Sequence, residues 1–276
     1  MKNSKNSIKM LMFSGIMGIA LTATACNNKN TYTSEKEHEC SKNCTDSKTD
    51  HQVKEADILF KEGKVIEIAY ASIEGGKEVQ LNRDYFAKIL PLAAKYEGKM
   101  LGSLEVTAIT DGEIHPQLIA IFEWPNIEAR DKLLADSEAQ KLFPIRDAAL
   151  TSIKLAYFKV EEDVKVTFRE DKTYEFFNAW LTPKSKTALP EYFKQSAEVK
   201  KKYGPPVFVA SLKPINNLPS ADYLLQPDMS GIVEWGSTSD YYGLIADPEF
   251  KKAAPLLEKS VKRLDGINAK FNFPQQ

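Results

Sequence analysis

The chain has 276 residues, of which 43% are hydrophobic, 10% aromatic and 27% charged, as in an ordinary folded globular protein. This composition excludes a mostly disordered chain, a collagen-like chain and a polytopic membrane protein. The 37 basic and 38 acidic residues give a formal net charge of −1; without a basic excess, no nucleic-acid partner is expected.

The first 25 residues have the layout of a secretory signal. Three lysines precede an apolar run at residues 10–21, which is followed by Ala23-Thr24-Ala25-Cys26. The small residues before Cys26 resemble the lipobox of bacterial lipoproteins. This resemblance implies cleavage before Cys26, lipid on its thiol and new amino terminus, and a lipid-anchored protein of the cell envelope, at the outer membrane on its periplasmic or surface side. The alternatives are an ordinary signal peptide and a transmembrane anchor, although the apolar run is shorter than the roughly 20 residues that span a bilayer.

A polar segment follows at residues 26–57 and is predicted to be a flexible tether, because it has too few apolar residues to offset the cost of ordering. It contains His38, Cys40, Cys44 and His51. Thiolates and imidazoles together suit Cu(I) or Zn(II), so one hypothesis is a copper-handling or zinc-handling lipoprotein. The alternative is a disulfide between Cys40 and Cys44, since close thiols outside the cytoplasm usually oxidise.

The remainder of the chain contains an internal repeat. Ile121-Phe122-Glu123-Trp124 matches Ile232-Val233-Glu234-Trp235 at a shift of 111 residues, and the same shift aligns Asp136 with Asp247. Upstream the shift falls slightly, as loop insertions produce. The repeat therefore indicates two copies of one structural unit.

Each copy is predicted to be a β-α-β-β-α-β unit, the ferredoxin-like arrangement of an α+β fold. Runs of β-branched and aromatic residues predict the strands, and apolar residues at helical spacing predict the helices. In the first unit, residues 58–163, strands are expected at 65–73, 101–110, 118–124 and 153–160, with helices at 83–96, 126–134 and 138–150. In the second unit, residues 164–276, strands are expected at 174–181, 206–213, 229–235 and 267–273, with helices at 189–203 and 239–262.

The segment that begins at Phe122-Glu123-Trp124-Pro125 and continues through residues 126–146 resembles the DUF1330 family of dimeric α/β-barrel proteins. The resemblance rests on an apolar strand ending in an acid and an aromatic residue, a proline, the pair Ala129-Arg130 and a final Arg146. It implies that two four-stranded sheets pack face to face into a barrel. Family members do this as homodimers, whereas both halves here lie in one chain, so we expect an intramolecular barrel and a monomeric body.

Candidate catalytic residues lie at the ends of equivalent strands and in one loop. Strand alternation places Glu123 on one face with Ile119 and Ile121, and Glu234 is its counterpart in the second unit. Either carboxylate could act as a general base, or could simply pair with Arg146 or Arg130. His115 is the single histidine outside the tether, and it could serve in acid–base chemistry or as the axial ligand of a haem.

Four aromatic residues are candidates for lining a ligand pocket or for packing in the core: Tyr70, Trp124, Trp180 and Trp235. The superfamily that the chain resembles usually holds ligands between sheet and helices. It includes cofactor-free monooxygenases, haem enzymes and isomerases. The first hypothesis is therefore a lipid-anchored protein that binds a small apolar or aromatic molecule, and the second is an oxygenase or isomerase, cofactor-free or haem-dependent. No cofactor is required by the sequence.

Overall fold

The computed structural model describes residues 53–219 and 221–273. Cys26 and the candidate metal ligands His38, Cys40, Cys44 and His51 lie outside these residues. The first unit contains β1 (Glu55–Phe60), β2 (Val65–Ile73), α1 (Glu78–Leu81), a π-helical turn (Asn82–Phe86), α2 (Ala87–Lys95), β3 (Lys99–Asp111), β4 (Leu118–Trp124), α3 (Ile127–Ala135), α4 (Ser137–Asp147) and β5 (Leu150–Lys159). The second contains β6 (Val164–Arg169), β7 (Thr173–Leu181), α5 (Ser185–Lys201), β8 (Val207–Pro214), β9 (Met229–Trp235), α6 (Thr238–Ala246), α7 (Pro248–Ser260) and β10 (Val261–Phe271).

Eight strands form a closed barrel in the order β10-β3-β4-β2-β5-β8-β9-β7. Each unit contributes four antiparallel strands in the ferredoxin-like order, so the predicted fold class and the intramolecular barrel are confirmed. The two junctions between units differ in extent. Strands β3 and β10 pair at six positions, whereas β5 and β8 pair at two. Among the described residues, no helix is both long enough and apolar enough to cross a bilayer.

The remaining two strands, β1 and β6, form a separate antiparallel ribbon, which the sequence analysis does not predict. Its four buried apolar side chains pack with those that fill the barrel: Ile58, Phe60, Val166 and Phe168. The ribbon begins at Glu55, so residues 55–57, which the prediction places in the tether, are the first half of a strand. Each unit thus carries an additional N-terminal strand that pairs with its counterpart.

Strand alternation divides the buried side chains between the inside of the barrel and the layer beneath the helices, as predicted for β4. Ile119 and Ile121 belong to the cluster that fills the barrel, whereas Ala120 and Trp124 pack against the helices of the first unit. The helices of the second unit pack on an equivalent cluster that includes Trp235. Each unit therefore has its own layer between sheet and helices, separate from the barrel interior.

The two aspartates that the repeat aligns occupy equivalent helix caps. The Asp136 carboxylate accepts the backbone N–H of Glu138 at 2.8 Å, and the Asp247 carboxylate accepts that of Glu249 at 2.7 Å. The prediction of one continuous helix over residues 239–262 is wrong, because Asp247 in extended backbone caps a new helix that starts at Pro248.

Candidate functional site

A cavity of about 100 Å³ lies between the sheet and the helices of the first unit. Its walls come mainly from apolar side chains of β2, β4 and β5 and of helix α2. The π-helical turn before α2 places Tyr85 and Phe86 on the cavity, and Phe143 and Arg146 reach it from α4. An engineered apolar cavity of about 150 Å³ binds benzene, so this smaller space, which is partly open, can take a group no larger than a single ring.

One end of this cavity is polar. The indole N–H of Trp124 donates to Glu67 Oε2 at 2.9 Å, and Arg130 Nε lies 3.8 Å from the same oxygen. The Glu67 side chain is only 12% exposed. Burial raises the pKa of the Glu67 carboxyl, while the positive charge of Arg130 and the hydrogen bond from Trp124 offset part of that rise. The arrangement places a buried, partly compensated carboxylate next to an apolar cavity.

Arg146, a predicted site residue, also lines the cavity. Its guanidinium lies over the Phe143 ring, 5.0 Å from the centroid, and bonds the exposed Asp147. An ion pair with an exposed carboxylate is weak, because solvent screens it. Arg146 can therefore exchange Asp147 for an anionic group of a ligand in the cavity.

The second unit repeats the glutamate and the tryptophan but changes their surroundings. The Trp235 indole N–H donates to Glu175 Oε2 at 2.9 Å, matching the pair in the first unit. Tyr241 stands where the repeat shift places Arg130, and its ring lies edge-on to Trp235 with the centroids 5.3 Å apart. Without a guanidinium beside it, burial raises the pKa of the Glu175 carboxyl to about 7, although the Trp235 hydrogen bond and Lys200 act in the opposite direction.

The candidate bases Glu123 and Glu234 lie on the barrel side of their strands. Glu123 is buried and its Oε1 lies 2.9 Å from Lys99 Nζ; Glu234 accepts the hydroxyl of Tyr174 at 3.0 Å. The expectation that Arg146 or Arg130 pairs with them is wrong. Strand alternation turns both glutamates toward the barrel, whereas the two arginines extend from helices on the opposite face.

The other predicted site residues are divided among separate places. Trp124 lines the first-unit cavity, and Trp235 occupies the equivalent layer of the second unit. Tyr70 and Trp180 pack with the barrel interior. His115 lies with Tyr70 on a second cavity at one end of the barrel. The structure therefore brings Trp124 and Arg146 together and separates both from His115.

Glu67 and Glu175 are the site residues that the sequence analysis misses. Strand β2 is apolar on both faces, which is typical of a strand covered on both sides, so a glutamate within it must be buried. That pattern, together with the Trp124–Trp235 repeat, could have identified Glu67 as a site residue from the sequence. In the described part of the chain, no three His, Cys, Asp or Glu side chains are placed to hold a metal ion.

No family model matches the chain, and no curated protein matches it. Among solved structures, an anthrone oxidase-like protein is 16% identical with a TM-score of 0.51, over 78% of this chain and 95% of that chain. A mutant chlorite dismutase from Candidatus Nitrospira defluvii is 10% identical with a TM-score of 0.43, over 78% and 93%. A heme-binding protein from Thermus thermophilus is 8% identical with a TM-score of 0.42, over 79% and 94%.

Such low identities define the fold alone. The chain has the dimeric α/β-barrel fold, with both ferredoxin-like halves in one polypeptide. The finer resemblance to DUF1330 finds no matching family model and stays a prediction.

Proposed function

We propose that the protein binds a small, mainly apolar acid, such as a single-ring aromatic carboxylate, in the cavity of the first unit. The observation that carries the proposal is an apolar cavity with Arg146 at its wall and the Glu67–Trp124 pair at its end. Arg130 already compensates Glu67. Arg146 is then the group whose charge is available to a ligand anion, and a guanidinium bonds a carboxylate through two parallel N–H groups.

The second unit is not expected to bind the same ligand. Its counterparts of Arg130 and Arg146 are Tyr241 and Leu257, so the two guanidinium groups are replaced by a phenol and an apolar side chain. A carboxylate ligand placed beside Glu175 would find no guanidinium to bind it. We therefore propose one binding site per chain.

Haem does not fit this cavity. The cavity volume of about 100 Å³ is far below the roughly 300–1,000 Å³ of typical cofactor sites. The lining residues include no His, Cys or Met, and His115 lies on the other cavity. The haem-dependent alternative therefore gains no support from the described residues.

Attachment to a membrane is the second part of the proposal and rests on the sequence alone. Lipid on Cys26 would hold the chain at the cell envelope, since several acyl chains exceed the two signals that stable anchoring needs. The tether of about 30 residues would then let the barrel sample ligands near the membrane surface. A lipid anchor and a cavity for an apolar acid suit a receptor or carrier for such molecules.

Calorimetric titration with benzoate and with benzamide, its neutral isostere, tests the binding proposal. We expect saturable benzoate binding that is stronger than benzamide binding. Arg146→Met should weaken benzoate binding at least tenfold, because even one hydrogen bond to a charged group contributes about 1.5–3 kcal/mol. Lys141→Met, on the same helix but highly exposed, is the matched control and should change nothing. Equal affinity for benzoate and benzamide, or equal effects of the two variants, would contradict the proposal.

A further inference from the structure

A second cavity, of about 260 Å³, opens at the end of the barrel where β2 ends and β4 and β5 begin. The β1–β6 ribbon lies at the opposite end of the barrel, because β1 leads into the first residue of β2. The cavity belongs to the barrel interior rather than to the layer between sheet and helices. Its lining is Tyr70, Glu113, Ile114, His115, Pro116, Ser152 and Lys154.

The loop that forms one wall is held on both sides by hydrogen bonds. The backbone N–H of Glu113 donates to Asp265 Oδ1 at 2.9 Å, and the Ser72 hydroxyl donates to the carbonyl of His115 at 2.9 Å. Gly112 precedes them at φ 104°, where a Cβ would come 2.2 Å from Asp265 Oδ1. The loop therefore has a fixed conformation that depends on this glycine.

Tyr70 forms the floor of the cavity and is only 2% exposed. Its hydroxyl oxygen accepts the side-chain N–H of Asn178 at 3.1 Å, and Ser230 donates to the other side of that amide at 2.7 Å. No described protein group accepts the hydrogen of the Tyr70 hydroxyl. Burial raises the pKa of Tyr70, so this hydroxyl keeps its proton and can donate a hydrogen bond to a ligand.

One cation on the cavity wall, Lys154, is available to an anion. Glu113 and Asp265 share the guanidinium of Arg263, which lies 2.9 Å from Glu113 and 2.6 Å from Asp265. Lys154 lines the cavity and its ammonium donates to the carbonyl of Asp222. It makes no salt bridge within residues 53–219 and 221–273. An ammonium has three N–H donors, so two remain for a ligand.

We propose that this end of the barrel is a binding site for a small oxyanion, a carboxylate or a phosphate, held by Lys154 and the Tyr70 hydroxyl. Ser152 and the His115 ring lie on the same cavity and supply further hydrogen-bonding groups. At about 30 Å³ per water molecule, the space holds a group of several heavy atoms. The site is distinct from the first-unit cavity and goes beyond the function proposed for it.

Titration of the full ¹⁵N-labelled chain with inorganic phosphate, and separately with acetate, tests this site at constant ionic strength. The backbone amide signals of residues 113–115 and of Gln117 should shift saturably with at least one of the two anions, with a Kd near or below about 1 mM. The Trp124 indole signal should stay in place, because it lies in the other cavity. The anion that binds more tightly identifies phosphate or carboxylate as the preferred chemistry.

Lys154→Met should weaken this binding at least tenfold, while Lys159→Met, an exposed lysine on the same strand near its other end, should leave it unchanged. Both variants remove one surface ammonium, so neither is expected to unfold the barrel, and thermal denaturation checks this. Tyr70→Phe should also weaken binding. The proposal would be overturned if Lys154→Met and Lys159→Met had equal effects. It would also be overturned if neither phosphate nor acetate caused saturable shifts.

Discussion

Glu175 offers a test of the buried layer in the second unit, through the pH dependence of stability. Its carboxyl has an ordinary pKa of 4.5, and burial raises the pKa to about 7 in the folded protein. Folding therefore favours the protonated carboxyl. The stabilisation that this protonation provides is fully present below pH 4.5 and is lost as pH rises through about 7.

The size of the effect follows from the two pKa values. A shift of one unit corresponds to about 1.4 kcal/mol, and linkage across the two pKa values gives a loss of about 2–3 kcal/mol between pH 5 and pH 9. Glu175→Gln removes the titration but keeps an oxygen that can accept the Trp235 indole N–H. Relative to the Glu175→Gln variant, the original protein should therefore lose about 2–3 kcal/mol of unfolding free energy between pH 5 and pH 9.

Urea unfolding of both proteins at several pH values between 5 and 9 measures this difference. The matched control is Glu258→Gln, an exposed residue on α7 that makes no salt bridge within the described residues. Its stability relative to the original protein should stay constant across the range. If the Glu175→Gln difference is also constant from pH 5 to pH 9, Glu175 is not buried beneath the helices as described.

Three further predictions concern the cavity, the barrel and the anchor. Gly98→Ala places a Cβ 2.2 Å from the Trp124 ring, so it should lower the free energy of unfolding in urea by about 1–3 kcal/mol and weaken benzoate binding. Gly75→Ala is the control and should do neither, because the space around Gly75 is open. Residues 58–163 alone expose a sheet face and two sheet edges, so light scattering should show dimers or aggregates, and a well-folded monomer would refute the intramolecular barrel. Cys26→Ser should release the chain from membranes after a high-salt wash, and retention would contradict lipid anchoring.

The barrel units were predictable because their signals are local and repeated. The bounds of β2, β4 and β9 agree with the prediction, since each strand is a short apolar run between turn residues. The ribbon strands β1 and β6 were not predictable in this way. Each is six residues long and pairs with a segment more than 100 residues away, so nothing in the neighbouring sequence indicates a partner.

The candidate site was predictable only in part. The repeat singles out Trp124, and the family resemblance singles out Arg146. The sequence analysis misses Glu67 because a glutamate in a strand ordinarily faces solvent. The burial of Glu67 depends on the helices that cover the outer face of the sheet. His115 and Tyr70 come from different strands and loops, so their convergence on one cavity depends on the closure of the barrel.

The three tryptophans allow one measurement to locate the proposed ligand. Trp124 lies on the first-unit cavity, Trp235 in the equivalent layer of the second unit, and Trp180 in the barrel with its ring 4.3 Å from the Arg263 guanidinium carbon. A ¹⁵N spectrum of the indole N–H groups, recorded during titration with benzoate, reports on all three places at once. The proposed function predicts a saturable shift of the Trp124 signal with the Trp235 signal unchanged; a Trp124 signal that stays in place at saturating benzoate would contradict it.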